Sequence, residues 1–174
     1  MASNEADHRE DVPSEGAWIY LSGPMQVPDQ DEAVALYDRL SEACADSGWH
    51  VYRPYSEILG KESGEGSLAP RLRHALGQAD LCVFYIGRPS SGVGTEAAWA
   101  TEHQRPVVAL YLREDEPSSL LGDLLNGYER ARVLACDDPD DCATKLQAVL
   151  ADPGWQDVIR LAGAELADEP LETA

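Results

Sequence analysis

Basic residues are scarce in this chain: 13 Lys and Arg stand against 32 Asp and Glu, a formal net charge of −19. A surface of that sign repels phosphate backbones and anionic membranes at long range. Nucleic-acid binding needs a clustered basic footprint, and none is present. The charge accounts for solubility without any further role. It does not exclude a small anionic ligand, because a local nest of backbone N–H groups overrides the global field at short range.

Long apolar runs are missing too. Nothing approaches the roughly 20 residues that a membrane helix needs. Residues 1–16 are polar and acidic, with no basic n-region and no apolar h-region, and read as a disordered leader rather than a secretory signal. Cysteine is limited to Cys44, Cys82, Cys136 and Cys142, whose spacings make neither a disulfide framework nor a metal site. Cys82 lies inside an apolar run as a core thiol. His8, His50, His74 and His103 are scattered without zinc spacing. A reducing cytoplasm fits best, and neither a metal nor a cofactor is implied.

What is present is an alternation of strand and helix over 174 residues, a length that suits one domain. Residues 17–21 read as a strand ending in Ser22-Gly23-Pro24. Residues 29–47 carry helical apolar spacing stopped by Gly48. A second strand at 49–52 meets Pro54, a glycine-rich loop covers 56–67, and 68–78 is helical with Pro70 in its first turn. Residues 81–86 are six consecutive apolar residues, the pattern of a central parallel strand buried on both faces. A Gly/Ser/Pro loop at 87–94 leads to a helix at 95–104. Strands at 106–112 and 131–136 follow, with helices at 118–126, 140–151 and 155–166.

Five strands joined by helices imply right-handed crossovers and a five-stranded parallel sheet: an α/β, three-layer, flavodoxin-like or Rossmann-like domain. Its bounds are set at 17–151, with 152–174 as a C-terminal helix and acidic tail. Ligands of such folds bind outside the carboxyl ends of the strands. That singles out the segments at 22–26 and 87–96.

In Pro89-Ser90-Ser91-Gly92-Val93-Gly94-Thr95-Glu96, the glycines permit close backbone approach to a ligand, and the helix start offers unpaired N–H groups. It lacks the Gly-Lys-Ser/Thr ending of a Walker loop. It is either a phosphate cradle or an ordinary capped turn. Glu96 is placed in the first helical turn. It either completes a capping box or serves as an ionised nucleophile, with the helix dipole favouring its charge. Tyr20 stands at the strand's carboxyl edge or is a core tyrosine whose hydroxyl reaches the surface. Asp80 lies at the opposite strand end and reads as structural.

Ile19-Tyr20-Leu21-Ser22-Gly23-Pro24-Met25, Ala79-Asp80 before an apolar strand, Ser90-x-Gly92-Val93-Gly94-x-Glu96, and Arg105-Pro106-Val107-Val108 occur in an order and spacing that resemble the nucleoside 2-deoxyribosyltransferase family over roughly residues 17–150. The resemblance implies a flavodoxin-like core, N-glycosidic bond cleavage without a metal, Glu96 as nucleophile, and Tyr20 as the residue that positions it. Ser22, Gly23, Pro24, Met25, Ser90, Gly92 and Gly94 then line the substrate site. A homodimer is implied, with Ser119 and Asn126 of a neighbouring subunit completing the site. Six residues before the nucleophile, the family's transferases have an aspartate and its nucleoside 5'-monophosphate hydrolases a serine. Here the residue is Ser90, which favours a phosphorylated substrate because a carboxylate there would repel the phosphate.

Two positions depart from the pattern. Where the family has an aspartate on the helix before Asp80, this chain has Leu72 between Arg71 and Arg73, with His74 nearby. Either the helix is shifted in register, another group assists the leaving base, or activity is altered or lost. Glu96-Ala97-Ala98 replaces a larger apolar residue and a glycine. The expected function is hydrolysis of a nucleoside 5'-monophosphate to free base and a (deoxy)ribose 5-phosphate. Base exchange between deoxyribosides and a non-catalytic nucleotide-sensing module are the alternatives.

Overall fold

The computed structural model describes residues 17–25, 28–54 and 68–168; the expected leader at 1–16 and the glycine-rich loop at 56–67 lie outside them. The elements in chain order are β1 (Trp18–Ser22), α1 (Gln30–Asp46), β2 (His50–Tyr52), α2 (Leu68–Gln78), β3 (Leu81–Tyr85), α3 (Ser91–Glu102), β4 (Val107–Leu112), α4 (Ser119–Asn126), β5 (Ala131–Cys136), α5 (Pro139–Ala151) and α6 (Pro153–Asp168). The five strands form one sheet in the order β2-β1-β3-β4-β5, every neighbouring pair parallel. This is the expected three-layer α/β fold, in the flavodoxin-like strand order.

Continuous apolar runs become the central strands because both sheet faces are covered by helices. All five residues of β1 and of β3 are buried. Side-chain alternation sorts them into two cores. Ile19, Leu21, Val83, Tyr85, Val108 and Leu110 pack under α1, α5 and α6, with Leu40, Leu146 and Trp155 among their partners. Trp18, Tyr20, Cys82, Phe84, Val107 and Ala109 pack under α2, α3 and α4, with Leu76, Ala97 and Leu125. Residue parity along β1 therefore decides which layer Tyr20 and Ser22 face.

Local signals end the helices as expected. Asp29 caps α1 by accepting from Glu32 N at 3.0 Å, and Gly48, at φ +85°, closes the turn after it. Asp80 accepts from Trp18 N at 2.8 Å and ties β1 to the amino end of β3, a structural role. One boundary differs in a way that matters. The helix expected from Thr95 begins at Ser91, because Ser90 caps it by accepting from Val93 N at 3.3 Å and Gly94 N already donates to Ser90 O at 3.0 Å. Gly92 and Gly94 are thus helical residues of the first turn rather than part of a loop. Burial of Val93 offsets their low helix propensity.

The turn after β1 is fixed by Tyr37, whose hydroxyl donates to Pro24 O at 2.7 Å. A Cβ on Gly23 would sit 2.5 Å from the Tyr37 ring. Gly23→Ala is therefore expected to destabilise the fold by about 1–3 kcal/mol through overpacking. Denaturant unfolding should register the loss as a lower midpoint with an unchanged slope.

Candidate active site

β1 and β3 are the strands between which the crossover direction reverses, and their carboxyl ends open the crevice where this fold binds ligands. Tyr20 and Ser22 project from β1 toward the α2–α4 layer, opposite Cys82 and Phe84 in register. Glu96 comes down from the second turn of α3. All three are buried, Tyr20 at 0%, Ser22 at 7% and Glu96 at 7% exposure.

Burial pushes the Glu96 carboxyl above its ordinary pKa, while the Ser22 and Tyr20 hydroxyls, which favour the ionised form, pull it part of the way back. This corrects the expectation that Glu96 falls in the first helical turn, within reach of the dipole. The helix starts at Ser91, so Glu96 lies past the first turn, where the dipole has faded. The capping-box alternative is also excluded, since the residue three after the Ser90 cap is Val93.

Tyr20 is driven far above the ordinary phenol pKa, first by burial and then by the negative charge of Glu96. It stays protonated and faces the carboxylate as a donor. Tyr20 Oη and Glu96 Oε2 are near enough to influence one another, yet neither has a partner in full hydrogen-bond geometry among the described residues. Loose contacts of this kind are common in free enzyme sites and tighten around a substrate. The Tyr20 ring is held between Tyr52, at 5.6 Å between centroids, and Phe84, at 6.2 Å.

Ser90 marks the start of α3 at the strands' carboxyl edge. A Cβ on Gly94 would meet nothing within 4 Å, and one on Gly92 would meet only Ser90 Oγ at 3.6 Å. Neither glycine is required by the protein's own packing, and both leave the first-turn backbone open to approach from outside. Gly23 and Pro24 are engaged by Tyr37, and Met25 packs against the α1 core.

The other expected residues fall elsewhere. Ser119 opens α4 and Asn126 ends it, both exposed. Seven residues of helix separate them by about 10 Å, so Asn126 lies toward the amino edge of the sheet, away from Glu96 of its own subunit. Leu72 is buried on the inner face of α2 with Ala75 and Leu76, while Arg73 points out to Glu102 at 2.9 Å. No register shift supplies a carboxylate here, because α2 contains no Asp or Glu at all.

Two features had no sequence signal. A groove of about 570 Å³ runs between α3 and α4, its ends marked by Arg88, Ser90 and Gly94 on one side and Leu120 and Leu124 on the other. Tyr85, Arg88 and Asp115 also form a polar cluster, with Tyr85 Oη donating to Asp115 Oδ2 at 2.8 Å. Only the adjacency of β3 and β4 brings residues 85, 88 and 115 together.

Comparison with known proteins agrees with this geometry. No family model matches the chain. A protein of Thermofilum pendens named "Putative 2'-deoxynucleoside 5'-phosphate N-hydrolase 1" is 30% identical over 146 residues, covering 80% of this chain and 98% of the relative. The Clostridium botulinum CMP N-glycosidase BcmB superposes with a TM-score of 0.59 at 16% identity, over 75% of this chain and 98% of its own. A 2-deoxyribosyltransferase of Bacillus psychrosaccharolyticus gives 0.54 at 18% identity, over 75% and 96%. At such identities these two structures establish the shared fold. The chain belongs to the nucleoside 2-deoxyribosyltransferase family, nearest its nucleoside 5'-monophosphate N-glycosidase branch. It is thus an N-glycosyl hydrolase or a related deoxyribosyltransferase.

The raised Glu96 pKa has a signed consequence. A carboxyl whose folded pKa lies above its unfolded value contributes stability that is fully present below the unfolded pKa and is lost as pH rises through the folded pKa. Glu96→Gln removes that loss. Urea unfolding across pH should show the variant gaining on the unmodified protein as pH rises above the ordinary glutamate range, even though it lacks the candidate nucleophile.

Proposed function

We propose that the protein hydrolyses the N-glycosidic bond of a nucleoside 5'-monophosphate, with Glu96 as nucleophile. The buried Glu96–Tyr20–Ser22 group at the β1/β3 crevice carries this reading, and the Thermofilum pendens relative named for the same reaction supports it. The 5'-phosphate sits on the first turn of α3, where N–H groups and the positive helix end favour an anion. Glu96, oriented by Tyr20, attacks C1' of the sugar and the base departs. Water then displaces the carboxylate and releases a sugar 5-phosphate, two inversions giving net retention. A desolvated carboxylate is poorly stabilised before attack and loses its charge in the glycosyl ester, so burial lowers the barrier rather than raising it.

Ser90 favours the hydrolase over the base-exchanging alternative. Its Oγ both caps the helix and faces an anion without repelling it. A non-catalytic nucleotide-sensing role remains the reading from a different class, motivated by the apolar Leu72 where the family has an acid. The protein acts as a homodimer in the cytoplasm. The exposed leucines of α4, Leu120 at 82% and Leu124 at 38%, form the face that a second copy covers, and Ser119 on the same helix then lies at the subunit boundary. Four unpaired thiols suit a reducing compartment.

Incubation with each common ribo- and deoxyribonucleoside monophosphate, and with the unphosphorylated nucleosides, is expected to release free base from monophosphates alone. Chromatography should show that release abolished in Glu96→Ala, and full turnover by that variant would sink the nucleophile assignment. Ser90→Asp keeps an equally good helix cap, so the fold should be retained while kcat/KM for monophosphates falls by about tenfold or more through charge repulsion. Leu120→Asp should convert a two-chain species into monomers by sedimentation velocity and lower base release with it; a monomeric, fully active protein would remove the shared site.

A further inference from the structure

Arg88 is the one cation among the described residues lining the α3–α4 groove, in a chain whose net charge is −19. It stands two residues before the Ser90 cap, on the loop that carries the chain from β3 into α3. Its side chain is 32% exposed and its guanidinium is held on two carboxylates by long contacts, 3.4 Å to Asp115 Oδ2 and 3.5 Å to Glu32 Oε2. Both distances exceed those of a good charge-assisted hydrogen bond. The two carboxylates are differently committed. Asp115 also accepts from the Tyr85 hydroxyl at 2.8 Å, whereas Glu32, 68% exposed on α1, pairs with Arg88 from the surface. The guanidinium is therefore turned toward α1, where Arg88 also lines a small pocket with Ala33, Leu36, Tyr37 and Tyr85, by partners that hold it weakly.

The geometry points to Arg88 as the residue that recognises the phosphate of the ligand, exchanging its loose contact with Glu32 for a paired contact to the phosphate seated at Ser90 and Gly94. The planar guanidinium fork matches phosphate oxygens, and Arg88, which lines both the pocket beside α1 and the groove that holds Ser90 and Gly94, would reach them by swinging its side chain from the first to the second. Asp115 stays on the opposite side of the guanidinium and keeps it aimed. In this acidic protein the exchange also supplies the positive charge that the first turn of α3 provides only in part. This assignment rests on the proposed function for the identity of the ligand, but not for its test.

The test is calorimetric titration with 2-deoxyribose 5-phosphate and with 2-deoxyribose at fixed ionic strength, using the full chain. Arg88→Gln is expected to weaken binding of the sugar phosphate by about tenfold or more and to leave the unphosphorylated sugar unaffected, with Arg88→Lys in between. Glu32→Gln removes the competing carboxylate and should tighten sugar-phosphate binding by up to about fivefold, a gain that disappears in the Arg88→Gln background. Equal binding by Arg88→Gln and the unmodified protein would overturn the assignment. So would a Glu32→Gln gain that persists without Arg88, since that would be a general charge effect, or the absence of any sugar-phosphate binding. Base release from monophosphates together with Arg88-independent binding would leave the hydrolase standing and remove Arg88. Arg88-dependent binding without base release would do the reverse.

Discussion

The burial of one carboxylate organises this structure. Taking an ionised glutamate out of water costs several kcal/mol unless donors replace its hydration, and Glu96 is left 7% exposed. The fold places two hydroxyls, from Tyr20 and Ser22, on the single strand face that can reach it. Those hydroxyls can do so only because β1 runs through the middle of the sheet, flanked by β2 and β3, where its side chains are fixed by packing on both sides. The compensation is incomplete, as the raised pKa records. A residue that only stabilised the fold would have little reason to be held in such a state, and perturbation of this kind is what active sites share.

The two faces of the sheet carry different duties. Under α1, α5 and α6 lies an almost wholly apolar core that includes Leu40, Cys44, Leu146 and Ile159. The other face holds Tyr20, Ser22 and Glu96 among aromatic residues, with Tyr52 and Phe84 against the tyrosine and Trp18 packed edge-on to Tyr52. Rigid rings with few torsions hold a phenol in place at low entropic cost. The first core is thus a support, and the second holds the candidate site. Gly23 joins them: its missing side chain lets Tyr37 of the supporting layer close over the turn that follows Ser22.

Much of this was legible in the residues. The continuous apolar runs of β3 and β4 announce a parallel sheet, Gly48 marks a helix end, and the segment from Ser90 to Glu96 marks the crevice. What escaped was the local competition between glycine and cap. Gly92 and Gly94 argue for a loop, yet the Ser90 cap and the burial of Val93 carry the helix through them. That shift of one turn moves Glu96 away from the dipole, and its burial raises its pKa. The environment of Arg88 was invisible for a different reason. Glu32, Tyr85 and Asp115 come from three separate segments, and only the strand order brings them together.

The overall acidity and an anionic ligand site are compatible because they act over different lengths. At physiological ionic strength charges on the surface are screened beyond about 8 Å, so the net charge of −19 governs approach, while in the proposed site the first turn of α3 and Arg88 would govern the bound state. Such a surface gives no steering to an incoming anion and slows its encounter relative to a basic protein. The same field favours departure of an anionic product once it leaves the local donors. Affinity in the proposed arrangement must come from a few short-range contacts made inside the crevice, which is why a single serine and a single arginine at the head of α3 would carry so much of the selectivity.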